Sequence, residues 1–207
     1  QQAVPESAIQ ELANEGWLGA SIPREYGGLG WDQHSMALLN EALGMACSSM
    51  RSLLTVHLHL VAETLNRWGS EAQKQHWLRD LASGKKIACF ALSEPNIGSD
   101  AASIESTYQK VEGGFKLNGH KKWITFGQRA DVFLFFARNE RGMSAFLLKR
   151  DTPGLQVKPL SGIMGTRASL MAEVIAEDCF VPDECLLGQA GWGFMQIANT
   201  ALDNGRF

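Results

Sequence analysis

The hydrophobic periodicity of the chain changes near residue 88, and this change limits the folds that the chain can adopt. Before that point apolar residues recur at helical spacing, as in the series Leu54, Leu58, Val61 and Leu65. Beyond it, short apolar runs alternate with glycine-containing turns, a pattern typical of antiparallel strands, and helical spacing returns after residue 191. The sequence therefore predicts an α+β multidomain chain with a helical N-terminal domain at 1–88, an antiparallel β-barrel middle domain at 89–190 and the start of a C-terminal helical domain at 191–207.

Charge and composition exclude several classes of function. The 207 residues include 19 lysines and arginines against 22 aspartates and glutamates, which gives a formal charge of −3. Such a surface is not built to neutralise many phosphates, so nucleic acid is not predicted as a partner. No apolar run approaches the roughly 20 residues of a membrane span, and no secretory leader pattern occurs, so we expect a cytoplasmic protein. Its four cysteines form no Cys-x-x-Cys pair and are expected to be reduced thiols.

The segment Ser93–Asp100 combines a strand end with a tight turn. Ser93 closes an apolar run, and a proline follows before the pair Gly98-Ser99. A turn of this composition exposes backbone N–H groups and a hydroxyl, which suits an oxyanion or a phosphate. The same composition is typical of an ordinary passage from strand to loop, and the residues alone favour that interpretation.

The segment Lys122–Thr125 places a tryptophan beside a β-branched polar residue. Trp123 and Thr125 could form a flat aromatic wall with a hydroxyl, suited to a planar heterocycle. Packing of a strand against the core explains the same residues, and taken alone this interpretation is favoured.

Six stretches, taken together and in this order, make the chain resemble the acyl-CoA dehydrogenase family over nearly its whole length. They are Pro23–Gly30, Ser93–Asp100, Lys122–Thr125, Val181–Gly188, Gly191–Phe194 and Leu202–Arg206. The resemblance implies a helical N-terminal domain, a β-barrel middle domain and a C-terminal helical bundle, most of which would be missing from these 207 residues.

The resemblance also implies FAD as the cofactor. Ser93 would bond the pyrimidine side of the flavin, Trp123 would cover the isoalloxazine, Thr125 would bond near N5, and Ser99 would lie near the pyrophosphate and the pantetheine arm of the substrate. The implied cofactor-binding residues are Phe90, Ala91, Leu92, Ser93, Gly98, Ser99, Trp123, Ile124 and Thr125. The implied substrate-binding residues are Arg51, Ser52, Ser99, Asp203 and Arg206.

The activity implied by the resemblance is FAD-dependent dehydrogenation of an acyl thioester of CoA or of acyl carrier protein. A carboxylate would remove the α-proton while hydride leaves the neighbouring carbon for the flavin. The chain starts at Gln1 without methionine and stops at Phe207 within a helical pattern, so we expect it to be part of a longer protein. The general base is expected beyond Phe207. An electron-transfer flavoprotein as acceptor and a homodimer or homotetramer are further expectations of the resemblance.

The pair Arg51-Ser52 bears on the substrate. An arginine among apolar helix residues is costly to bury unless an anion accompanies it, although an arginine at a helix end can also reach solvent. The pair resembles one in glutaryl-CoA dehydrogenases and in dehydrogenases that make hydroxymalonyl-type extender units on acyl carrier protein. In the former this pair meets a free carboxylate of the substrate. The resemblance therefore predicts an acyl thioester with a second carboxylate.

Several alternatives remain open at this point. The same fold could serve a flavin oxidase or monooxygenase, a non-catalytic module that binds a thioester or its carrier, or a plain fatty acyl-CoA dehydrogenase in which Arg51 is a surface residue. No metal site is predicted, because His57 and His59 are two residues apart and point to different faces of a helix. Glu94 and Asp100 are predicted to cap turns rather than to act in acid–base catalysis.

Overall fold

Side-chain caps stand at the start of two of the five N-terminal helices in the computed structural model, which describes residues 3–205. The Asp32 side chain accepts the N–H of Ser35 at 2.8 Å, and Ser70 and Gln73 form a reciprocal capping box. Both caps satisfy backbone donors that the first turn of a helix leaves free. The helices are α1 Glu6–Asn14, α2 Gln33–Ala46, α3 Ser48–Leu54, α4 Glu63–Trp68 and α5 Glu71–Ala82.

A π-helical segment, Thr55–Ala62, joins α3 to α4 without a break in the helix. The apolar residues that predict a helix here, including Leu58 and Val61, are fully buried. The widening to a π-helix is not visible in the sequence pattern, and it buries every residue of the segment except Thr55. The segment packs against the first strand of the sheet, Ala88–Ala91.

Within residues 3–205, eight strands form one sheet in the order β6-β7-β3-β2-β4-β5-β8, with β1 beside β4. The prediction of a helical part followed by a mostly antiparallel sheet is confirmed. Two contacts differ from a purely antiparallel barrel, because β1 runs parallel to β4 and β2 meets β4 in parallel at one pair. The strand β1 is entered from a helix rather than from a hairpin, so no tight turn sets its direction. The strands are β1 Ala88–Ala91, β2 Thr107–Val111, β3 Gly114–Ile124, β4 Val132–Asn139, β5 Gly142–Lys149, β6 Leu155–Pro159, β7 Ala172–Pro182 and β8 Leu186–Leu187.

The helical part and the sheet share one hydrophobic core. Gln73, at the start of α5, donates its side-chain amide to the carbonyls of Glu184 and Leu186 at 2.7 and 2.9 Å. These two bonds join segments that are more than a hundred residues apart in sequence. The two parts are therefore held by polar contacts as well as by apolar packing.

The last described segment is helical and packs on two other parts of the fold. A π-helical turn, Gly193–Ala198, leads into α6 Asn199–Gly205. Its apolar residues Ile197 and Ala201 are buried. Ala201 lies on α6, which packs on the π-helical segment Thr55–Ala62, and Ile197 lies on the π-helical turn, which packs against β5.

All four cysteines lie within the described residues and are free thiols. No helix in residues 3–205 is long and apolar enough to cross a bilayer. The same residues contain no group of three or more metal-ligating side chains placed to hold an ion.

His57 links the π-helical segment to β1 from a fully buried position. Its Nδ1 accepts the N–H of Ala88 at 3.1 Å, so Nε2 carries the proton and donates to the carbonyl of Leu81 at 3.2 Å. Burial lowers the pKa of His57 from 6.5 to about 4, against the opposing effect of its hydrogen bonds. The imidazole is therefore neutral at pH 7 and acts as a structural link.

We expect His57 to make the fold sensitive to mild acid. Because its folded pKa lies below the unfolded value, the unfolded chain takes up the proton first, and stability falls as the pH drops from 6.5 toward 4. The full effect is about 3 kcal/mol. Melting temperatures between pH 6.5 and 4.5 should fall more steeply for the wild type than for His57→Gln.

The exposed His34 provides the control, since His34→Gln should leave the wild-type slope unchanged. Equal slopes for the wild type and His57→Gln would contradict the buried neutral imidazole.

Candidate functional site

A cleft of about 380 Å³ lies where the end of β1, the end of β3 and the π-helical segment meet. Eight of the nine predicted cofactor residues line it, and Ala91 does not. Ala91 is buried on the face of β1 opposite to Phe90 and Leu92, because successive side chains of a strand point to opposite faces. The lining residues are Val56, Leu60, Phe90, Leu92, Ser93, Gly98, Ser99, Ala101, Trp123, Ile124, Thr125 and Leu202.

The lining combines an apolar base with a few hydroxyl groups. The hydroxyls come from Ser93, Ser99 and Thr125, on the two segments Ser93–Asp100 and Lys122–Thr125. A Cβ atom added at Gly98 would meet no atom within 4 Å, so the backbone of this turn is open to a ligand. An apolar cavity with few convergent polar groups is typical of a site for a planar organic ligand.

A β-bulge in β3 turns Trp123 toward the cleft. Phe115, Leu117 and Lys121 alternate along the core face of the strand, which would also place residue 123 on that face. The pairing with β7 shifts between Lys121 and Ile124, and Trp123 has φ +64°. The indole is consequently 54% exposed while Ile124 takes the core position. Left-handed backbone at a tryptophan is a strained conformation that the surrounding sheet maintains.

A fully buried ion pair lies directly behind the cleft. The Nζ of Lys121 is 2.6 Å from Oε1 of Glu94 and donates to the carbonyl of Leu92 at 3.2 Å. The side chains of Lys121 and Glu94 are 0% and 2% exposed. The ammonium also lies 5.1 Å from the ring centroid of Phe135. Of the two polar partners of the ammonium, Leu92 lines the cleft, and Glu94 directly follows Ser93, which also lines it.

Glu94 is satisfied on all sides. Its carboxylate accepts the backbone N–H groups of Glu105 and Ser106 and the Ser106 hydroxyl. Burial alone would raise the pKa of Glu94, but the Lys121 ammonium and these donors outweigh burial and leave the pKa lowered. Burial lowers the pKa of Lys121 to about 8, although Glu94 opposes this effect. Both groups are charged at neutral pH. Glu94 therefore holds backbone N–H groups of a distant segment rather than of its own turn, and Asp100 forms no side-chain cap.

Sequence reasoning missed the role of Lys121. The available signal is the alternation of Phe115 and Leu117 along β3, which places Lys121 on the core face. It also missed Val56, Leu60 and Leu202 in the lining, because their spacing is that of ordinary core residues.

The predicted substrate residues are not all brought together. Ser99 lines the cleft, whereas Arg51 and Ser52 are not among its lining residues. The guanidinium of Arg51 donates to the Thr55 hydroxyl at 3.2 Å, and Ser52 donates to the Ser48 carbonyl at 2.8 Å. Arg51 is half-buried and forms no ion pair with a carboxylate of residues 3–205.

The other two predicted substrate residues belong to the end of the chain. Asp203 is exposed and follows Leu202, which lines the cleft. Arg206 lies outside the described residues. No carboxylate or imidazole is found among the described residues that line the cleft.

A larger cavity, of about 570 Å³, lies elsewhere, between α5 and the strands β5 and β7. Its walls include Trp77, Lys149 and Phe180, and it contains none of the predicted site residues. The smaller cleft is the better candidate site, because the separate predicted segments converge only there.

The architecture is a helical part packed on a mostly antiparallel sheet, with a partly apolar cleft where the two meet. Two family models match the chain: the acyl-CoA dehydrogenase N-terminal domain at residues 1–85 and the acyl-CoA dehydrogenase middle domain at residues 89–179. The chain belongs to the acyl-CoA dehydrogenase family.

Individual relatives agree with this assignment. The mitochondrial short-chain specific acyl-CoA dehydrogenase of Rattus norvegicus is 38% identical over 98% of this chain and 50% of that protein. The structure of a glutaryl-CoA dehydrogenase from Mycobacterium smegmatis in complex with FADH2 has a TM-score of 0.93 and 32% identity over 99% of this chain and 52% of that one. The prolyl acyl carrier protein oxidase AnaB has a TM-score of 0.93 and 33% identity, over 99% and 56%. The chain spans about half the length of the relatives it matches.

The strained backbone at Trp123 leads to a prediction about stability. Trp123→Gly and Trp123→Ala both remove the indole, but only glycine adopts a positive φ freely. We expect the glycine variant to be the more stable of the two by about 1 kcal/mol in urea unfolding.

The matched control is Trp31, whose φ is not positive. There the order should reverse, with Trp31→Ala more stable than Trp31→Gly. If alanine were the more stable variant at residue 123 as well as at residue 31, residue 123 would not be held in the left-handed region.

Proposed function

We propose that the protein containing this chain is an FAD-dependent dehydrogenase of an acyl thioester. The observation that carries this proposal is the convergence of Ser93, Trp123 and Thr125, from two separate family-like segments, on one cleft. When bound, FAD supplies the acceptor for the two electrons removed from the acyl group.

The residues of the cleft have distinct proposed roles. The exposed indole of Trp123 offers a flat face for the flavin ring, and Phe90 and Leu92 exclude water from the opposite side. The hydroxyls of Ser93 and Thr125 can bond polar atoms at the ring edge. The open turn at Gly98 and Ser99 leaves room for a phosphate or the pantetheine arm, because a Cβ atom added at residue 98 would meet no atom within 4 Å.

We propose that the general base comes from outside the described residues. An α-proton can be removed only by a basic group within hydrogen-bond reach, and the described lining provides none. This agrees with the expectation of a base beyond Phe207. The 207-residue chain would then hold cofactor and substrate without completing the reaction.

The substrate proposed is an acyl thioester with a second carboxylate, and Arg51 is the supporting residue. Its guanidinium is half-buried without a carboxylate partner among the described residues. Arg51 precedes Val56 of the cleft by five residues, which is about 7 to 8 Å along a helix axis. A planar guanidinium at that distance suits the far end of a short acyl group.

An oxidase is the second candidate function. The favouring observation is the similarity to the prolyl acyl carrier protein oxidase. Oxygen consumption during turnover, without an added electron acceptor, would distinguish it from a dehydrogenase. An electron-transfer flavoprotein as acceptor and a homodimer or homotetramer are proposals that rest on the resemblance, and a cytoplasmic location is a proposal that rests on the sequence pattern.

We expect the complete protein to bind FAD and Trp123→Ala to weaken that binding at least about tenfold, because the indole provides the stacking face. Flavin absorbance after gel filtration, together with titration of the apoprotein, measures the effect.

Trp31→Ala removes another partly exposed tryptophan, one outside the cleft, and should leave binding unchanged. A wild-type protein that holds no flavin would favour the non-catalytic carrier-binding module. Equal affinities for the wild type and Trp123→Ala would contradict the assigned position of the ring.

Arg51 should separate two classes of substrate. In the complete protein, Arg51→Ala should reduce turnover of a dicarboxylic acyl thioester at least about tenfold and leave a monocarboxylic one nearly unchanged, because only the former places an anion against the guanidinium. Arg51→Lys should restore part of the loss, since an ammonium cannot form a two-pronged contact. An equal loss for both substrates would make Arg51 a structural residue.

A further inference from the structure

The buried pair Lys121–Glu94 is an expensive arrangement in terms of stability alone. Both side chains are almost completely withdrawn from water. Apolar side chains of similar volume often stabilise such a position as well as an ion pair does, or better. The contacts of the pair point to a use other than stability.

The pair fixes the two strand ends that form the walls of the cleft. Glu94 follows Ser93 directly, and Lys121 precedes Trp123 by two residues, at the last core-facing position before the bulge. The ammonium also donates to the carbonyl of Leu92 at 3.2 Å, and the N–H of Lys122 donates to the carbonyl of Ser93 at 2.9 Å. The ends of β1 and β3 are thereby tied to each other next to the cleft.

Glu94 also holds both ends of the loop that carries Gly98 and Ser99. Its backbone N–H donates to the carbonyl of Ile97 at 2.9 Å, and its carboxylate accepts the N–H groups of residues 105 and 106. Glu94 therefore lies at the start of the loop that follows β1, and its carboxylate also binds the end of that loop. The Lys121 ammonium is the positive charge that allows this carboxylate to remain ionised inside the protein.

We infer that Lys121 and Glu94 are positioning residues of the cleft, which hold the Ser93 wall, the Gly98-Ser99 turn and the Trp123 wall in the arrangement that accepts the flavin. This inference rests on the proposed function. The two residues act through the groups that they orient, and neither lines the cleft.

The experiment uses three variants of the complete protein: Lys121→Met, Glu94→Gln and the double variant. Each single variant leaves one buried charge without its partner, so each should lower the melting temperature of the apoprotein. The double variant removes both charges and should regain much of that loss. If the pair positions the cleft, FAD affinity should stay at least about tenfold below wild type in the double variant despite its recovered stability.

Lys110→Met is the matched control. Lys110 pairs with Asp183 at 2.6 Å in an exposed position away from the cleft, so the same substitution should change neither FAD affinity nor the flavin spectrum.

A second measurement does not require flavin. The difference in tryptophan fluorescence between each apoprotein and its Trp123→Phe counterpart isolates the surroundings of Trp123. We expect this difference spectrum to change in the double variant and to remain as in the wild type in Lys110→Met.

The two measurements separate the possible outcomes. A double variant with wild-type FAD affinity and a wild-type difference spectrum would overturn the inference while leaving the proposed function intact. A wild type without flavin, whose difference spectrum still depends on the pair, would overturn the proposed function but support the positioning of Trp123.

Discussion

A lysine ammonium inside a protein core must be compensated by its neighbours, and the compensation of Lys121 determines much of this structure. Its anionic partner, Glu94, lies three residues beyond the end of the first strand, so the loop after that strand starts at the pair. The same carboxylate then receives the backbone of residues 105 and 106. The need to neutralise the buried ammonium thus brings together the end of β3, the residues that follow β1 and the end of the loop at residues 105 and 106.

The cleft belongs to neither the helical part nor the sheet alone. Val56 and Leu60 come from the π-helical segment, whereas Phe90 and Leu92 come from the strand that packs on it. The widened helix brings its apolar side chains and a buried histidine to the same strand, and His57 fixes the start of that strand through a hydrogen bond. The position of the cleft is therefore a consequence of how the two parts pack.

The sequence was sufficient to predict the order of the helical and strand regions and most of the cleft. The residues Ser93, Gly98 and Trp123 were grouped through the resemblance to the acyl-CoA dehydrogenase family, because the local pattern alone favours a strand-to-loop passage and ordinary core packing. The π-helix and the bulge could not be predicted, because each is a one-residue change in register that the packing of distant segments selects. The pairing of Lys121 with Glu94 depends on that same packing. The position of the Arg51 side chain could not be predicted either, because a local pattern does not reveal whether an arginine on a helix reaches into a site.

The two amide bonds of Gln73 connect the start of α5 to carbonyls near the end of the sheet. The two acceptors are backbone oxygens, so these bonds do not depend on which side chains stand at residues 184 and 186. Substitutions at residues 184 and 186 could accumulate without disturbing the link, whereas a change at residue 73 would break both bonds at once. In a recombination between relatives that exchanged the helical part for another, the incoming sequence would have to supply an amide at this one position. This link, unlike the shared hydrophobic core, would then depend on a single side chain.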